Sequence, residues 1–284
     1  MIYSKTNKLI KNNMKNTIII AAILVQTLAN AQLTDSIKRL VPVKGALNFR
    51  DVGGYKTTDG KEVVWGKVYR SAGIDKLTNE DIALLDKKKI HTVVDFRGVA
   101  ESKAAPDRLP QNTDYTLSPA GSDSIPNAAQ MVKLLKEGGF LEKFYGSDAV
   151  KYSGDRFRPL FVKLLTADKK EAVMYHCTGG RDRTGMATAL FLYVLNVPEK
   201  TIEEDYVASN VYLKKMNKGM MAPLAKMSGL TEAQIENEMA LKLELIRLFF
   251  GGIKTQYGSV ENFLQQEMGI GPKEINILRK KYTK

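Results

Sequence analysis

The chain has 284 residues, with 43 Lys and Arg against 31 Asp and Glu and a net charge of +12. Its 44% hydrophobic and 26% charged residues exclude a disordered or collagen-like polymer and leave enough length for a core of useful size. A single cysteine excludes an internal disulfide framework and a multi-cysteine zinc site.

Residues 1–31 carry Lys5, Lys8, Lys11 and Lys15 and no acid, then an apolar run over 18–25 that trails to Ala29-Asn30-Ala31. A positive flank, a short apolar run and a small-x-small end are the parts of a secretory signal peptide. The run is too short and interrupted for a spanning helix of about 20 apolar residues. Cleavage after Ala31 is expected and takes the net charge to +8; an uncleaved anchor is the alternative. The expected destination is the periplasm or the medium, with no stable membrane anchor after cleavage.

Residues 32–284 contain no internal repeat or low-complexity linker and read as a single domain. Gly53-Gly54 and Asp59-Gly60 signal turns, with short strands at Glu62-Val63-Val64-Trp65 and Val68-Tyr69-Arg70. Thr78 followed by Asp81 predicts a capped helix with Ile82, Leu84 and Leu85 on its apolar face. Thr92-Val93-Val94-Asp95-Phe96 reads as a β-branched strand. A loop over 98–126 contains a short strand near Tyr115, and 127–168 is mostly helical. Ala172-Val173-Met174-Tyr175 is a buried strand, followed by a Gly-rich turn and an apolar helix from Thr184 to Leu195. Helices follow over 201–215 and 231–254, with shorter ones near 259–267 and 273–281. Met216, Met220, Met221 and Met227 fall in the join between the first two, where they cover a binding mouth as a lid or simply pack a helical hairpin. This order predicts an α/β fold, a central mostly parallel sheet flanked by helices, with extra C-terminal helices.

The turn reads His176-Cys177-Thr178-Gly179-Gly180-Arg181-Asp182-Arg183-Thr184-Gly185. A cysteine between a strand and a helix N-terminus meets unpaired N–H groups and the positive end of the helix dipole, which favour a thiolate. Gly179 and Gly180 let the backbone curl so that several N–H groups converge on one anion. Arg183 offers a planar fork for two oxygens of that anion. A tetrahedral phosphate fits this cradle, with Cys177 placed beneath it for in-line attack. No cofactor or metal is required, and the Lys runs lack the aromatic interleaving of a nucleic-acid surface.

This segment resembles the Cys-x5-Arg-Thr pattern of cysteine-dependent tyrosine phosphatases. More narrowly, it is similar to the secreted, atypical bacterial tyrosine/serine phosphatases, which usually read His-Cys-x-Ala-Gly-Lys-Asp-Arg-Thr-Gly. Asn48-Phe49-Arg50-Asp51-Val52-Gly53-Gly54-Tyr55, Val68-Tyr69-Arg70-Ser71, and Val94-Asp95-Phe96-Arg97 with Glu101 resemble further motifs of that family. So do Asp205-Tyr206 with Ser209-Asn210, and Tyr257-Gly258-Ser259-Val260. Gly179 and Arg181 depart from the family's Ala and Lys.

The resemblance implies a tyrosine-phosphatase-like fold and hydrolysis of phosphotyrosine, with phosphoserine or phosphothreonine as further substrates, on a phosphorylated protein, peptide or small molecule. An inositol-phosphate or phosphoinositide phosphatase, favoured by the basic Arg181, is the alternative. Cys177 is then the nucleophile, Arg183 the phosphate clamp, and Asp182 the general acid, unless Asp182 is a helix cap. Thr184 assists the sulfur as it leaves. Thr178, Gly179, Gly180, Arg181, Asp182 and Arg183 line the phosphate. His176 is expected to brace the loop rather than act as a base, with Asp95, Arg97, Arg50 and Asp51 in support. Asp148 and Asp155 occupy the stretch where other tyrosine phosphatases carry a mobile acid.

Overall fold

The computed structural model describes residues 38–121 and 128–284; the expected signal segment lies outside the described residues. Five strands form one sheet: β1 (Arg50–Asp51), β2 (Val68–Ser71), β3 (Ile90–Asp95), β4 (Asp114–Leu117) and β5 (Ala172–His176), in the order β1-β2-β5-β3-β4. Only β1 is antiparallel to its neighbour. The mostly parallel α/β architecture expected from the residue pattern is therefore present.

The central strand explains the layering. In β5, Val173 and Tyr175 point into one hydrophobic cluster and Ala172 and Met174 into another, because successive side chains face opposite sides of a sheet. Helix α1 (Asn79–Lys87) covers the second face through Leu85. Thr78 and Asp81 form the expected capping box at its start, worth about 1 kcal/mol. After α2 (Val99–Ala104), the chain builds α3 (Ala128–Glu137), α4 (Phe140–Tyr145) and α5 (Ser147–Thr166). The other face is covered by α5, by α6 (Arg183–Val194), and by helices of the C-terminal third. That third contains α7 (Glu199–Tyr212), α8 (Lys214–Ser228), α9 (Glu232–Met239), α10 (Leu243–Tyr257), α11 (Val260–Met268) and α12 (Pro272–Tyr282).

Four expectations need correction. The loop expected over 98–126 opens with α2, whose start is closed by Glu101 accepting from Gly98 N–H. Residues 62–65 do not join the sheet. Their backbone pairs instead with Tyr55 and with Tyr282 and Lys284, as isolated bridges. The helix expected over 231–254 breaks at 240–242, where Asn210 intercepts both backbone polar groups of Leu241, at 2.8 and 3.0 Å. The Met-rich segment is the body of α8 rather than a join. There Met221 packs with Leu135 of α3 and Ile235 of α9.

For the site, the register matters most. Ser71, His176 and Asp95 lie side by side at the carboxyl ends of β2, β5 and β3. The loops that follow them emerge at one edge, where open α/β sheets gather ligands.

Candidate active site

Cys177 follows the last residue of β5 and is 2% exposed. Between it and α6 the backbone is tied from outside. Thr178 O accepts from Gly73 N–H at 3.0 Å. Gly179 O accepts from Asn48 Nδ2 at 3.3 Å, and Gly180 O from Asn48 Nδ2 at 2.8 Å and Arg70 Nη2 at 3.0 Å. In a planar trans peptide the carbonyl and the next N–H point oppositely. Anchoring these three oxygens outward therefore turns the N–H groups of Gly179, Gly180 and Arg181 inward. None of the three donates to another group among the described residues. Asp182 starts α6 without a side-chain cap bond, so the helix N-terminus also keeps free donors and the capping role for Asp182 is absent.

The glycines are not equivalent. Gly180 has φ +59°, and a Cβ there would lie 2.3 Å from the carbonyl carbon and oxygen of Ser71. A Cβ on Gly179 would meet only Arg181 Cβ, at 3.7 Å. The family's alanine therefore fits at 179 and glycine is obligatory at 180.

Arg183 crosses this loop. Its Nη1 donates to Glu101 Oε2 (2.6 Å) and Phe96 O (3.1 Å), and its Nη2 donates to Glu101 Oε1 (3.0 Å). Glu101 also accepts from Thr178 Oγ1 at 2.7 Å and from Gly98 N–H. Nη2 also donates to Thr178 Oγ1 in a long bond of 3.5 Å. With Nη1 fully engaged, the Nε–Nη2 edge takes two anion oxygens once Nη2 gives up that long contact. Burial opposes the Arg183 charge, but the Glu101 hydrogen bonds and the nearby Cys177 sulfur outweigh it and raise its pKa further. Burial likewise pushes the Glu101 carboxyl up, and Arg183 more than reverses this, holding it below the usual range.

Arg50 and Asp51 are drawn apart by chain direction. Arg50 is fully buried and contacts Asn48 Oδ1, Asp205 and Ser209, behind the loop. Arg70, also fully buried, joins Asp205 at 2.7 Å. Tyr55 donates to the same carboxylate at 2.8 Å. Burial and the like charge of Arg50 push the Arg70 pKa down, against the pull of Asp205. Asp51 instead braces the first turn, accepting from Gly53 N–H and Gly66 N–H, each at 2.7 Å.

His176 forms a second buried support. Its Nε2 lies 3.0 Å from Asp107 Oδ2, and Arg97 Nη2 donates to Asp107 at 2.7 Å and Asp95 at 2.8 Å. Tyr115 completes the set by donating to Asp95. Asp95, Asp107 and His176 come within 4.8 Å of one another, a donor set of metal-ligand type. The Arg97 guanidinium already supplies the cation between the two acids. Burial alone would raise the Asp95 carboxyl, yet His176 and Arg97 hold it below the usual range.

Asp182 is three-quarters covered. Tyr145 hydroxyl donates to its Oδ1 and Arg181 Nε to its Oδ2, both at 2.9 Å. Arg181 Nη1 in turn donates to Met239 O at 2.8 Å, so its guanidinium joins the loop to the end of α9. Thr184 is buried, and its Oγ1 has no partner among the described residues. Asp155 sits on the solvent face of α5, paired with Arg158 of the same helix. The backbone of Asp148 lies in the first turn of α5, and its side chain is outside the described ones.

Sequence reasoning assigned no role to Asn48, Arg70, Glu101, Asp205 or Ser209, although each falls inside a motif that carried the resemblance. Tyr145 and Asp107 gave no signal, because burial patterns do not reveal partners across 37 or 69 residues.

The profile of the tyrosine phosphatase family matches residues 41–284. A Cupriavidus necator protein, provisionally named tyrosine-protein phosphatase, is 27% identical over 78% of this chain and 82% of its own length. The triple specificity protein phosphatase PtpB of Mycobacterium tuberculosis is 25% identical, over 83% of this chain and 96% of its own. Among solved structures, P. aeruginosa TpbA aligns with a TM-score of 0.30 and 16% identity, over 60% of this chain and 91% of that one.

Proposed function

This chain belongs to the tyrosine phosphatase family and is a hydrolase of that type, and from that premise we propose that it removes phosphate from phosphotyrosine through a phosphocysteine intermediate. The observation that carries the mechanism is the outward anchoring of the Thr178, Gly179 and Gly180 carbonyls, which aims a set of N–H groups at one point beside Cys177.

The phosphate dianion sits among these N–H groups with two oxygens on the open edge of Arg183. Cys177 Sγ attacks phosphorus opposite the tyrosyl oxygen. Asp182 enters this step as the carboxylic acid: as the S–P bond forms and the P–O bond breaks, it gives its proton to the leaving tyrosyl oxygen and becomes the carboxylate, a contribution of about 10²–10⁴ in rate. Water then attacks the phosphocysteine and Asp182 takes up its proton. The S–P bond breaks toward a thiolate that accepts from the Thr184 hydroxyl, and inorganic phosphate leaves. The fixed donors stabilise charge on the equatorial oxygens in both steps without reorganising.

Phosphoserine and phosphothreonine fit the same cradle, with a poorer leaving group and greater dependence on Asp182. The inositol-phosphate reading leaned on Arg181, whose guanidinium is engaged with Asp182 and Met239, so phosphotyrosine is favoured. None of the described helices is long and apolar enough to cross a membrane. The basic flank, apolar run and Ala29-Asn30-Ala31 support export of the enzyme to the periplasm or medium as a mature chain starting at Gln32.

The test is turnover in EDTA on a phosphotyrosine peptide, a phosphoserine peptide and an inositol phosphate. Metal-independent hydrolysis, strongest on phosphotyrosine, inhibited by vanadate and abolished by Cys177→Ser, is expected. Activity that survives Cys177→Ser would end the mechanism.

A further inference from the structure

Both oxygens of the Asp182 carboxyl accept hydrogen bonds, and its two partners differ in kind. Arg181 is its neighbour in the loop. Tyr145 comes from α4, 37 residues earlier, and is fully buried. Its ring packs edge-on against Tyr206, with centroids 5.7 Å apart, and belongs to the main hydrophobic cluster. Burial, reinforced by the Asp182 charge, keeps the Tyr145 phenol far above its ordinary range. The phenol is thus kept in its protonated, donating form beside Asp182.

We infer that Tyr145 is the positioning residue for the proton-transfer group: its core-anchored hydroxyl fixes Asp182 Oδ1, so that the carboxyl presents one defined face to the leaving oxygen. This rests on the reading of Asp182 as the acid. A carboxyl on an unbraced loop side chain would rotate about χ1 and χ2, and proton transfer requires it within about 2.6–3.2 Å of the oxygen it serves. The brace comes from the rigid core rather than from a loop that must close, so the acid is in place before substrate arrives.

Proton donation matters only when the leaving group is poor, which separates positioning from general damage. Tyr145→Phe keeps the ring contacts and removes one oxygen. On phosphotyrosine peptide and phenyl phosphate, kcat/KM should fall about tenfold. On an activated aryl phosphate such as dinitrophenyl phosphate it should fall less than about twofold. The dependence of kcat/KM on leaving-group acidity steepens accordingly, to a value between wild type and Asp182→Asn. In an Asp182→Asn background, Tyr145→Phe should produce no further steepening.

An equal loss on every leaving group, or the same loss with and without Asp182, overturns the inference. Should Asp182→Asn itself lack leaving-group dependence, the acid assignment fails first; should it show that dependence while Tyr145→Phe does not, only the role of Tyr145 fails. If Tyr145→Phe does not fold, 3-fluorotyrosine at 145 keeps the shape and sharpens the donor. A leaving-group dependence that then differs from wild type supports the inference, and an unchanged one overturns it.

Discussion

Placing one methyl group on each of two adjacent residues tests whether the loop geometry creates the anion site. In Gly180→Ala the new Cβ would stand 2.3 Å from Ser71 C and O and 2.4 Å from Ala72 N. All three are backbone atoms at the end of β2, so no side chain can swing aside. The left-handed conformation adds about 1–2 kcal/mol for an L residue. Relieving the overlap requires a shift of about 1 Å in a loop where such a displacement can cost about 10² in rate. We expect kcat/KM on an aryl phosphate to fall at least about 100-fold and vanadate binding to weaken in parallel. Gly179→Ala, with its nearest neighbour at 3.7 Å and no positive φ, should stay within about threefold of wild type. Steady-state kinetics, a vanadate titration and thermal melts of both variants provide the comparison. A Gly180→Ala enzyme with near-native turnover would refute the claim that close approach to Ser71 shapes the cradle.

Three further outcomes follow from the buried charges. Glu101→Gln leaves Arg183 with a neutral partner, and kcat/KM should fall by about tenfold while the fold persists, read by kinetics beside circular dichroism. Because the Glu101 carboxyl is held below its usual range, its contribution to stability is complete above the ordinary carboxylate pKa of about 4.3 and is lost as pH falls through the folded value. Wild type should therefore lose Tm faster than Glu101→Gln on acidification below that point; parallel curves would show that the pair does not stabilise the fold. Asp205→Asn leaves Arg50 and Arg70 buried without the carboxylate they share, at a cost of about 3–5 kcal/mol in urea unfolding. A loss under about 1 kcal/mol would mean that the arginines are neutralised by other means.

The elements legible in the sequence were those with strong local chemistry. Thr78 with Asp81 marks a helix start, and Ala172–Tyr175 ending in a glycine turn marks a buried strand, because capping and β-branching act within a few residues. Local reading failed where a distant group decides the outcome. Residues 240–242 carry good helix formers, yet Asn210 captures the backbone of Leu241 and ends α9. Residues 62–65 carry the β-branched and aromatic side chains of a strand, but their partners are Tyr55, Tyr282 and Lys284. At the site, Cys177 and Arg183 were visible from spacing and dipole arguments alone. The resemblance sets Arg181 among the residues lining the phosphate, and only the placement of Met239 O reveals where its guanidinium goes. Tyr145 offered no cue, since a buried tyrosine is ordinarily just packing.

The Asn48 side chain reaches the Gly180 carbonyl across 132 residues of sequence. A search for the seven residues from Cys177 to Arg183 therefore finds the proposed nucleophile without what shapes the loop around it. The same heptad transplanted to another strand–helix junction, without an Asn48 and an Arg70 behind it, would have free carbonyls that rotate inward and repel the very anion the motif is taken to recognise. In this chain the heptad supplies the reagent, and the side chains of Asn48 and Arg70 supply the receptacle.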